Sequence, residues 1–192
     1  MTEAWGAERV PSSVVDSARD AAARVVRALR SIDDGDAPAT SGSPWTVATA
    51  ESLTSGLVAS ALAEIPGVSH WFLGGVVGYS VDAKEALLSV DRAVMEEQGT
   101  VAEEVARQMA RGVAHRLGAR WAVATTGVAG PGPAEGKEAG TAWLAVVDAH
   151  ADVVTSRLIH SAGGRDEVRW RTTCAALELL AEVVEQIGAR SR

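Results

Sequence analysis

The segment WTVATAESLTSG, residues 45–56, constrains the fold of this chain more than any other stretch. It begins as a short apolar run suited to a buried strand, breaks into a corner rich in hydroxyl groups, and passes into a helical pattern. In open α/β sheets, ligands bind outside the carboxyl ends of the strands, and the next helix offers unpaired N–H groups to an anion. Ser52 is therefore a candidate for chemistry. The alternative interpretation is that these serine and threonine residues cap a helix.

The same alternation of strand and helix continues along the chain. Apolar and β-branched runs predict further strands at 74–80, 121–126, 141–147 and 152–160, and the last of these alternates as an edge strand does. Helical spacing predicts helices after residue 56, after Ser80, at 92–98, from a capping-box pattern at 100–103, and from about Arg165. This order predicts a three-layer α/β/α sandwich with a mixed, mainly parallel sheet.

The N-terminal part, residues 1–44, has a different character. Apolar residues recur at helical spacing over about residues 13–31, which predicts an amphipathic helix that packs on the domain or on a partner subunit. The run DDGDAPATSGSP that follows is polar and rich in Gly, Pro and Ser, and it predicts a linker.

Composition excludes several classes of function. A formal charge of −7 without a stripe of Lys or Arg disfavours nucleic acid as a partner and favours a small molecule. No apolar run is long enough to span a membrane, and the N-terminus lacks the order of a signal peptide, so we expect a cytoplasmic protein without a membrane partner. The single cysteine, Cys174, and the four scattered histidines disfavour a metal site and a Ser-His-Asp triad.

Three corners compete as functional sites: the hydroxyl corner at 49–55, the corner of Tyr79 and Lys84, and the glycine-rich loop at 127–132. If their strands are adjacent and parallel, all three meet in one crevice. A serine needs a base, and a desolvated lysine can be one; Lys84 is one of only two lysines in the chain. Tyr79 could orient this lysine, or it could be a rim residue with a wet hydroxyl. The glycine loop could hold a phosphate or an oxyanion, or it could be a plain connection.

A family resemblance joins these corners. The motifs occur in the order TAESLTSG, GYSVDAK, GTVAEEVA, TTGVAGP and GTAWLAV. Over about residues 46–181 they resemble the CinA C-terminal domain family, the nicotinamide-nucleotide amidohydrolases. The resemblance implies an α/β/α sandwich over residues 45–192 that is often a homo-oligomer. It also implies hydrolysis of the carboxamide of nicotinamide mononucleotide to nicotinate mononucleotide and ammonia, by a serine nucleophile and a lysine base, with no metal and no other cofactor.

The resemblance assigns roles to residues of this chain. Ser52 matches the nucleophile, and Tyr79 and Lys84 match the tyrosine and lysine of the second motif. The implied substrate-binding residues are Thr54, Ser55, Thr126, Gly127, Ala129, Gly130 and Arg165, the last as a partner for the phosphate. Five positions differ from the commonest pattern of the family: Leu53, Ser55, Val81, Ala102 and Gly164. These differences leave a second hypothesis open, a nucleotide-binding or regulatory domain with weak catalysis.

Overall fold

A computed structural model describes residues 10–33, 40 and 44–190, so most of the predicted linker lies outside the described residues. Its helices are α1 Ser12–Arg30, α2 Leu57–Ala63, α3 Val81–Leu88, α4 Arg92–Gln98, α5 Glu103–Leu117 and α6 Arg165–Arg190. Its strands are β1 Val47–Glu51, β2 Phe72–Val77, β3 Trp121–Gly127, β4 Thr141–Asp148 and β5 Val153–His160. A short 3-10 turn, Val68–His70, precedes β2.

The five strands form one mixed sheet in the order β2-β1-β3-β4-β5. Strand β1 pairs in parallel with β2 on one side and with β3 on the other, whereas β4 is antiparallel to both β3 and β5. Glu51, the last residue of β1, pairs with Val77 and with Thr125. The carboxyl ends of the three parallel strands therefore lie along one edge of the sheet. Each of the three corners predicted from the sequence begins where one of these strands ends.

Helices cover both faces of the sheet, which confirms the predicted three-layer sandwich. Helices α1, α2 and α6 pack on one face around a core that includes Trp121, Leu144 and Leu177. Helix α5, with α3 and α4 beside it, packs on the other face around Met95, Met109 and Val113. Strand β1 lies between the two layers, and all five of its residues are buried. The hydroxyl corner therefore starts from a strand whose residues are all buried.

The predicted N-terminal helix packs on this domain. Residues of α1 such as Val25 and Leu29 are buried in the same core as α6. An ion pair of Arg24 with Glu185 also joins the two helices, but both side chains are about two-fifths exposed. An exposed pair contributes at most about 1 kcal/mol, whereas burying one Val or Leu contributes about 1.5 to 3 kcal/mol. Apolar packing therefore holds α1 in place.

Two local predictions are wrong. The pattern at 100–103 does not form a capping box, because α5 begins at Glu103 with Ala102 as its N-cap and no side-chain cap. Thr100 instead gives its N–H and hydroxyl to Glu135. Strand β2 begins at Phe72 and ends at Val77, not at residues 74 and 80. The Gly78 N–H makes the last bond of the ladder, to the Glu51 carbonyl, and Ser80 is already the N-cap of α3.

Within the described part of the chain, we find no helix that is both long enough and apolar enough to cross a membrane.

Gly112 tests how closely α5 packs against the end of α3. A Cβ built on Gly112 would lie 1.8 Å from the carbonyl oxygen of Leu88, the last residue of α3. Alanine gains about 1 kcal/mol in helix propensity, but the overlap is with backbone and forces α3 to shift. We expect Gly112→Ala to lower the free energy of unfolding by about 1 to 3 kcal/mol in urea denaturation. Glu97→Ala, on an exposed position of α4, is the control, and unchanged stability of Gly112→Ala would contradict this packing.

Candidate active site

The hydroxyl corner directly follows β1 and is fixed by its neighbours. The N–H of Ser52 donates to the Thr125 carbonyl of β3 at 3.0 Å, and the N–H of Ser55 donates to the Ser52 carbonyl at 3.1 Å. The Ser52 side chain lies at the border of the interior, with 9% of the residue exposed. Its hydroxyl therefore sits where a small substrate can reach it and bulk water is largely excluded.

Glu51, which precedes the nucleophile candidate, caps helix α2. Its carboxylate accepts hydrogen bonds from the N–H groups of Gly56, Val58 and Ala59 at 2.8, 3.1 and 2.9 Å. We predicted that these N–H groups would bind an anion from outside the chain. They donate to Glu51 instead, so the prediction of an anion site at this helix start is wrong. The carboxylate is buried and stabilised by the helix dipole and by three donors. Glu51 thereby ties the corner to α2.

The alternative prediction, that the hydroxyl groups of Thr54 and Ser55 cap helix α2, is also wrong. Helix α2 has Gly56 as its N-cap, a residue without a side chain, and the N–H groups of its first turn donate to Glu51 instead. The Thr54 hydroxyl is fully buried and shares a 2.8 Å hydrogen bond with the Thr125 hydroxyl. Ser55 is exposed and has a positive φ of 51°, a conformation imposed by the sharp turn. Neither residue lines the cavity described below, and their assignment to substrate binding stays a prediction.

Arg169 of α6 holds the other side of the corner, and sequence reasoning missed it. Its guanidinium donates to the carbonyls of Leu53 and Thr54 at 3.1 and 3.2 Å, and Asp166 binds it at 3.1 Å. These carbonyls belong to the two residues that follow Ser52. A planar guanidinium suits two adjacent acceptors better than a lysine ammonium does. Arg169 therefore fixes the backbone after the nucleophile candidate through α6.

Lys84 lies beneath this corner on α3. Only 1% of the residue is exposed, and its Nζ donates to the Ser52 Oγ at 3.0 Å and to the Tyr79 carbonyl at 3.2 Å. No carboxylate within 4 Å pairs with it among the described residues. Burial lowers the pKa of Lys84 from 10.5 to about 8, and the charge of Glu135 opposes this shift only in part. The structure thus joins a hydroxyl to an amine that loses its proton readily.

Tyr79 contacts Lys84 through its backbone rather than its ring. The phenol points outward, is more than half exposed, and accepts a hydrogen bond from Arg165 at 3.0 Å. Arg165, at the start of α6, also donates to the Gly130 carbonyl at 2.6 Å. The predicted orienting role of the Tyr79 phenol is therefore wrong, and the rim alternative is the one that the structure supports. Only the backbone carbonyl of Tyr79 contacts Lys84, while the hydroxyl and the Arg165 guanidinium form a polar pair at the rim of the site.

The glycine loop lies against the same corner. Gly127 has no room for a side chain, since a Cβ there would lie 2.6 Å from the Thr141 carbonyl. The Val128 N–H donates to that carbonyl, and the Val128 carbonyl accepts from Gly140. Ala129 is buried with Leu53 and Val168 in a small apolar cluster, which accommodates the leucine at position 53. The Thr126 hydroxyl donates to the Thr100 carbonyl at 2.7 Å. Thr126 and Ala129 thus support the loop from behind.

These groups surround an open cavity of about 240 Å³. Five residues predicted from the sequence line it: Ser52, Tyr79, Gly127, Gly130 and Arg165. The sequence did not predict the other lining residues, which come from the turn before α5 and from the loop after Gly130: Leu53, Thr100, Val101, Val128, Pro131, Gly132, Pro133, Ala134 and Glu135. Lys84 reaches this cavity only through Ser52. Within the described ranges, no group of three His, Cys, Asp or Glu residues is placed to hold a metal ion.

Comparison with known proteins shows which family the chain resembles. Residues 37–184 match the model of the CinA C-terminal domain. A CinA-like protein of Mycobacterium marinum is 45% identical over 141 residues, which are 73% of this chain and 33% of that protein. A CinA-like protein of Geobacter sulfurreducens is 43% identical over 136 residues, which are 70% of this chain and 32% of that protein. The chain thus spans about a third of the length of the curated relatives it matches.

Solved structures of similar proteins share the whole fold. The competence/damage inducible protein CihA of Agrobacterium tumefaciens is 33% identical, with a TM-score of 0.77 over 92% of this chain and 98% of that one. A CinA superfamily protein of Klebsiella pneumoniae is 28% identical, with a TM-score of 0.78 over 88% of this chain and 98% of that one. With a family model that covers most of its length and relatives above 40% identity, the chain belongs to the CinA C-terminal domain family.

Proposed function

We propose that this chain is an amidohydrolase that cleaves the carboxamide of nicotinamide mononucleotide to nicotinate mononucleotide and ammonia. The observation that carries the proposal is the 3.0 Å contact between Lys84 Nζ and Ser52 Oγ, made by a buried amine that has no carboxylate partner among the described residues. Such an amine can be neutral near physiological pH and can take the proton of a serine hydroxyl. The family resemblance supports the choice of substrate.

The reaction follows from these two groups. As the Ser52 oxygen bonds to the carboxamide carbon, its proton passes to Lys84, and the carbonyl oxygen becomes an oxyanion. Backbone N–H groups at the corner or in the glycine loop would stabilise that charge. The C–N bond then breaks, and the Lys84 proton goes to the leaving nitrogen, so that ammonia departs and a serine ester remains. Lys84 next takes a proton from water as the water oxygen attacks the ester carbon. The ester C–O bond then breaks, Lys84 returns the proton to the Ser52 oxygen, and nicotinate mononucleotide leaves.

The rest of the cavity supports a mononucleotide as the substrate. Arg165 and the Tyr79 hydroxyl present two groups at the rim that can donate to a phosphate. The cavity of about 240 Å³ lies near the lower end of small-molecule sites, which span about 300 to 1,000 Å³. A single nucleotide that leaves its phosphate at the rim suits this size better than a dinucleotide does. Self-association, and the absence of nucleic-acid and membrane partners, stay predictions from the sequence.

Substitution of the proposed nucleophile tests the assignment. We expect Ser52→Ala to reduce ammonia release from nicotinamide mononucleotide by at least about a thousandfold, because no second hydroxyl of the described residues contacts Lys84. Ser60→Ala, at an exposed position of α2, is the control, and circular dichroism verifies folding. Unchanged turnover by Ser52→Ala would refute the mechanism. Calorimetric binding of the nucleotide without turnover by the wild type would favour the regulatory alternative.

The pH dependence of kcat/KM tests the base. Because the neutral amine of Lys84 is the active form and its pKa is lowered to about 8, kcat/KM should rise with pH and level off above about 8. The rise should approach about tenfold per pH unit on the acid side. Ammonia release measured from about pH 6 to about pH 9.5 locates this limb. A flat profile over this range would contradict a lysine base.

The burial of Lys84 should also lower the free energy of unfolding at neutral pH. Its pKa is lower in the folded chain than the ordinary 10.5, so the folded state disfavours the ammonium. The cost is fully present below about pH 8 and disappears as pH rises toward 10.5; the shift corresponds to about 3 kcal/mol. We expect Lys84→Met to raise the free energy of unfolding at pH 7, by about 2 kcal/mol more than it does at pH 10.

Urea denaturation at both pH values measures this difference. Lys137→Met replaces the other lysine of the chain, which lies in a partly exposed loop, and it controls for alkaline titration of the remaining groups. A Lys84→Met variant that is less stable than the wild type at pH 7 would show that the amine stabilises the fold, contrary to this account.

A further inference from the structure

We propose that Glu135 selects substrates whose carboxamide is carried on a positively charged ring, and so favours a pyridinium over an uncharged ring of the same shape. This inference rests on the proposed amidohydrolase function. It concerns the loop that follows Gly130, which the motifs of the sequence left unassigned. It names a residue that distinguishes the charged ring of the proposed substrate from a neutral ring.

Glu135 is held in the cavity by several contacts. Its carboxylate accepts the Thr100 N–H at 2.6 Å and the Thr100 hydroxyl at 2.7 Å. The backbone of Glu135 has a positive φ of 52°, and Gly99 has one of 79°. A Cβ on Gly99 would lie 2.6 Å from Glu135 Oε2, so the glycine makes room for the carboxylate. The turn before α5 therefore fixes this side chain on the wall of the cavity that holds Ser52.

The carboxylate is ionised at neutral pH. Partial burial raises the pKa of Glu135, but hydrogen bonds from Thr100 and the Val101 N–H, together with the charge of Lys137, outweigh this effect and leave the pKa lowered. Two cations face it. Lys137 lies in the same loop and donates to the Gln98 carbonyl at 3.4 Å, and Lys84 feels the Glu135 charge across the site. Within the described residues, neither lysine forms an ion pair with Glu135 inside 4 Å.

The charges of the cavity match a dipolar ligand. Among its lining residues only two are charged, Arg165 and Glu135. Nicotinamide mononucleotide carries a negative phosphate at one end and a positive pyridinium at the other, so each end has a partner of opposite sign. When Lys84 is neutral, as catalysis requires, Glu135 is left as the carboxylate available to the ring cation. The reduced nucleotide has the same phosphate, ribose and carboxamide, but its dihydropyridine ring is neutral.

The expected effect is moderate because Glu135 is exposed to solvent. Charges about 4 Å apart in water attract enough for roughly a fivefold change in affinity, and dissolved salt weakens this attraction. We expect the wild type to bind the oxidised mononucleotide about fivefold more tightly than the reduced one. That preference should shrink as sodium chloride is raised from about 0.05 M to about 0.5 M.

The test compares Glu135→Gln with the wild type on both nucleotides. Glutamine keeps one oxygen that accepts the Thr100 N–H, and its amide nitrogen can donate to the Thr100 hydroxyl oxygen, so the loop retains both contacts. We expect the KM for the oxidised nucleotide to rise about fivefold, the inhibition constant of the reduced one to change less than about twofold, and kcat to change little. Since the Glu135 charge raises the pKa of Lys84, the acid limb of the pH profile should move to lower pH. Glu138→Gln, an exposed position in the same loop, is the control.

Two outcomes would overturn the inference. If Glu135→Gln weakens both nucleotides equally, the residue only anchors the loop; if it weakens neither, the charge is irrelevant to binding. Should the wild type release no ammonia, the proposed function fails instead. In that case calorimetric dissociation constants of the same two nucleotides still decide the matter, because equal values for the wild type would refute a role for Glu135.

Discussion

The site depends on one buried amine that pairs with no carboxylate in the part of the chain that the structure describes. Lys84 is almost fully enclosed, and its contacts at Nζ are the hydroxyl of Ser52 and the carbonyl of Tyr79. An ammonium in that position is poorly solvated, so the surroundings favour its neutral form. The parallel arrangement of β2, β1 and β3 creates this situation, because it brings the start of α3 beneath the corner that follows β1. Burying this amine lowers the free energy of unfolding and favours the neutral, reactive form of Lys84, a trade-off between stability and activity that is common in proteins.

The charged side chains near Lys84 bind backbone groups and form no ion pair with its amine in the part of the chain that the structure describes. Glu51 is buried next to Ser52, yet its carboxylate is occupied by three N–H groups of α2 and fixes the turn. Arg169 reaches the same turn from α6 and binds two backbone carbonyls. The groups suited to a substrate lie farther out, where Arg165 and Glu135 line the cavity. The internal charges thus hold the turn that carries Ser52, and the two charged residues that line the cavity lie where a ligand can contact them.

The sequence predicted what depends on local pattern and on order along the chain. Hydrophobic periodicity was sufficient to predict the strands, the helices and the three-layer sandwich. The family resemblance carried by the ordered motifs predicted that Ser52 and Lys84 act together. The sequence could not show which group caps α2, because a buried Glu51 and a nearby Thr54 compete for that role and only three-dimensional packing decides between them. Nor could it show Arg169 or Glu135. Each acts across more than 30 residues of sequence on backbone or cavity atoms that leave no local signature.

The central claim is that Lys84 is neutral at a pH close to physiological, and one titration tests it directly. The chain has two lysines, Lys84 and Lys137, so a protein labelled with carbon-13 at the lysine ε position gives two side-chain resonances. Lys84→Met assigns them by removing one signal. We predict that the Lys84 resonance titrates with a pKa of about 8. A midpoint close to the ordinary 10.5 would contradict the account, since Ser52 would then face an ammonium that cannot accept its proton.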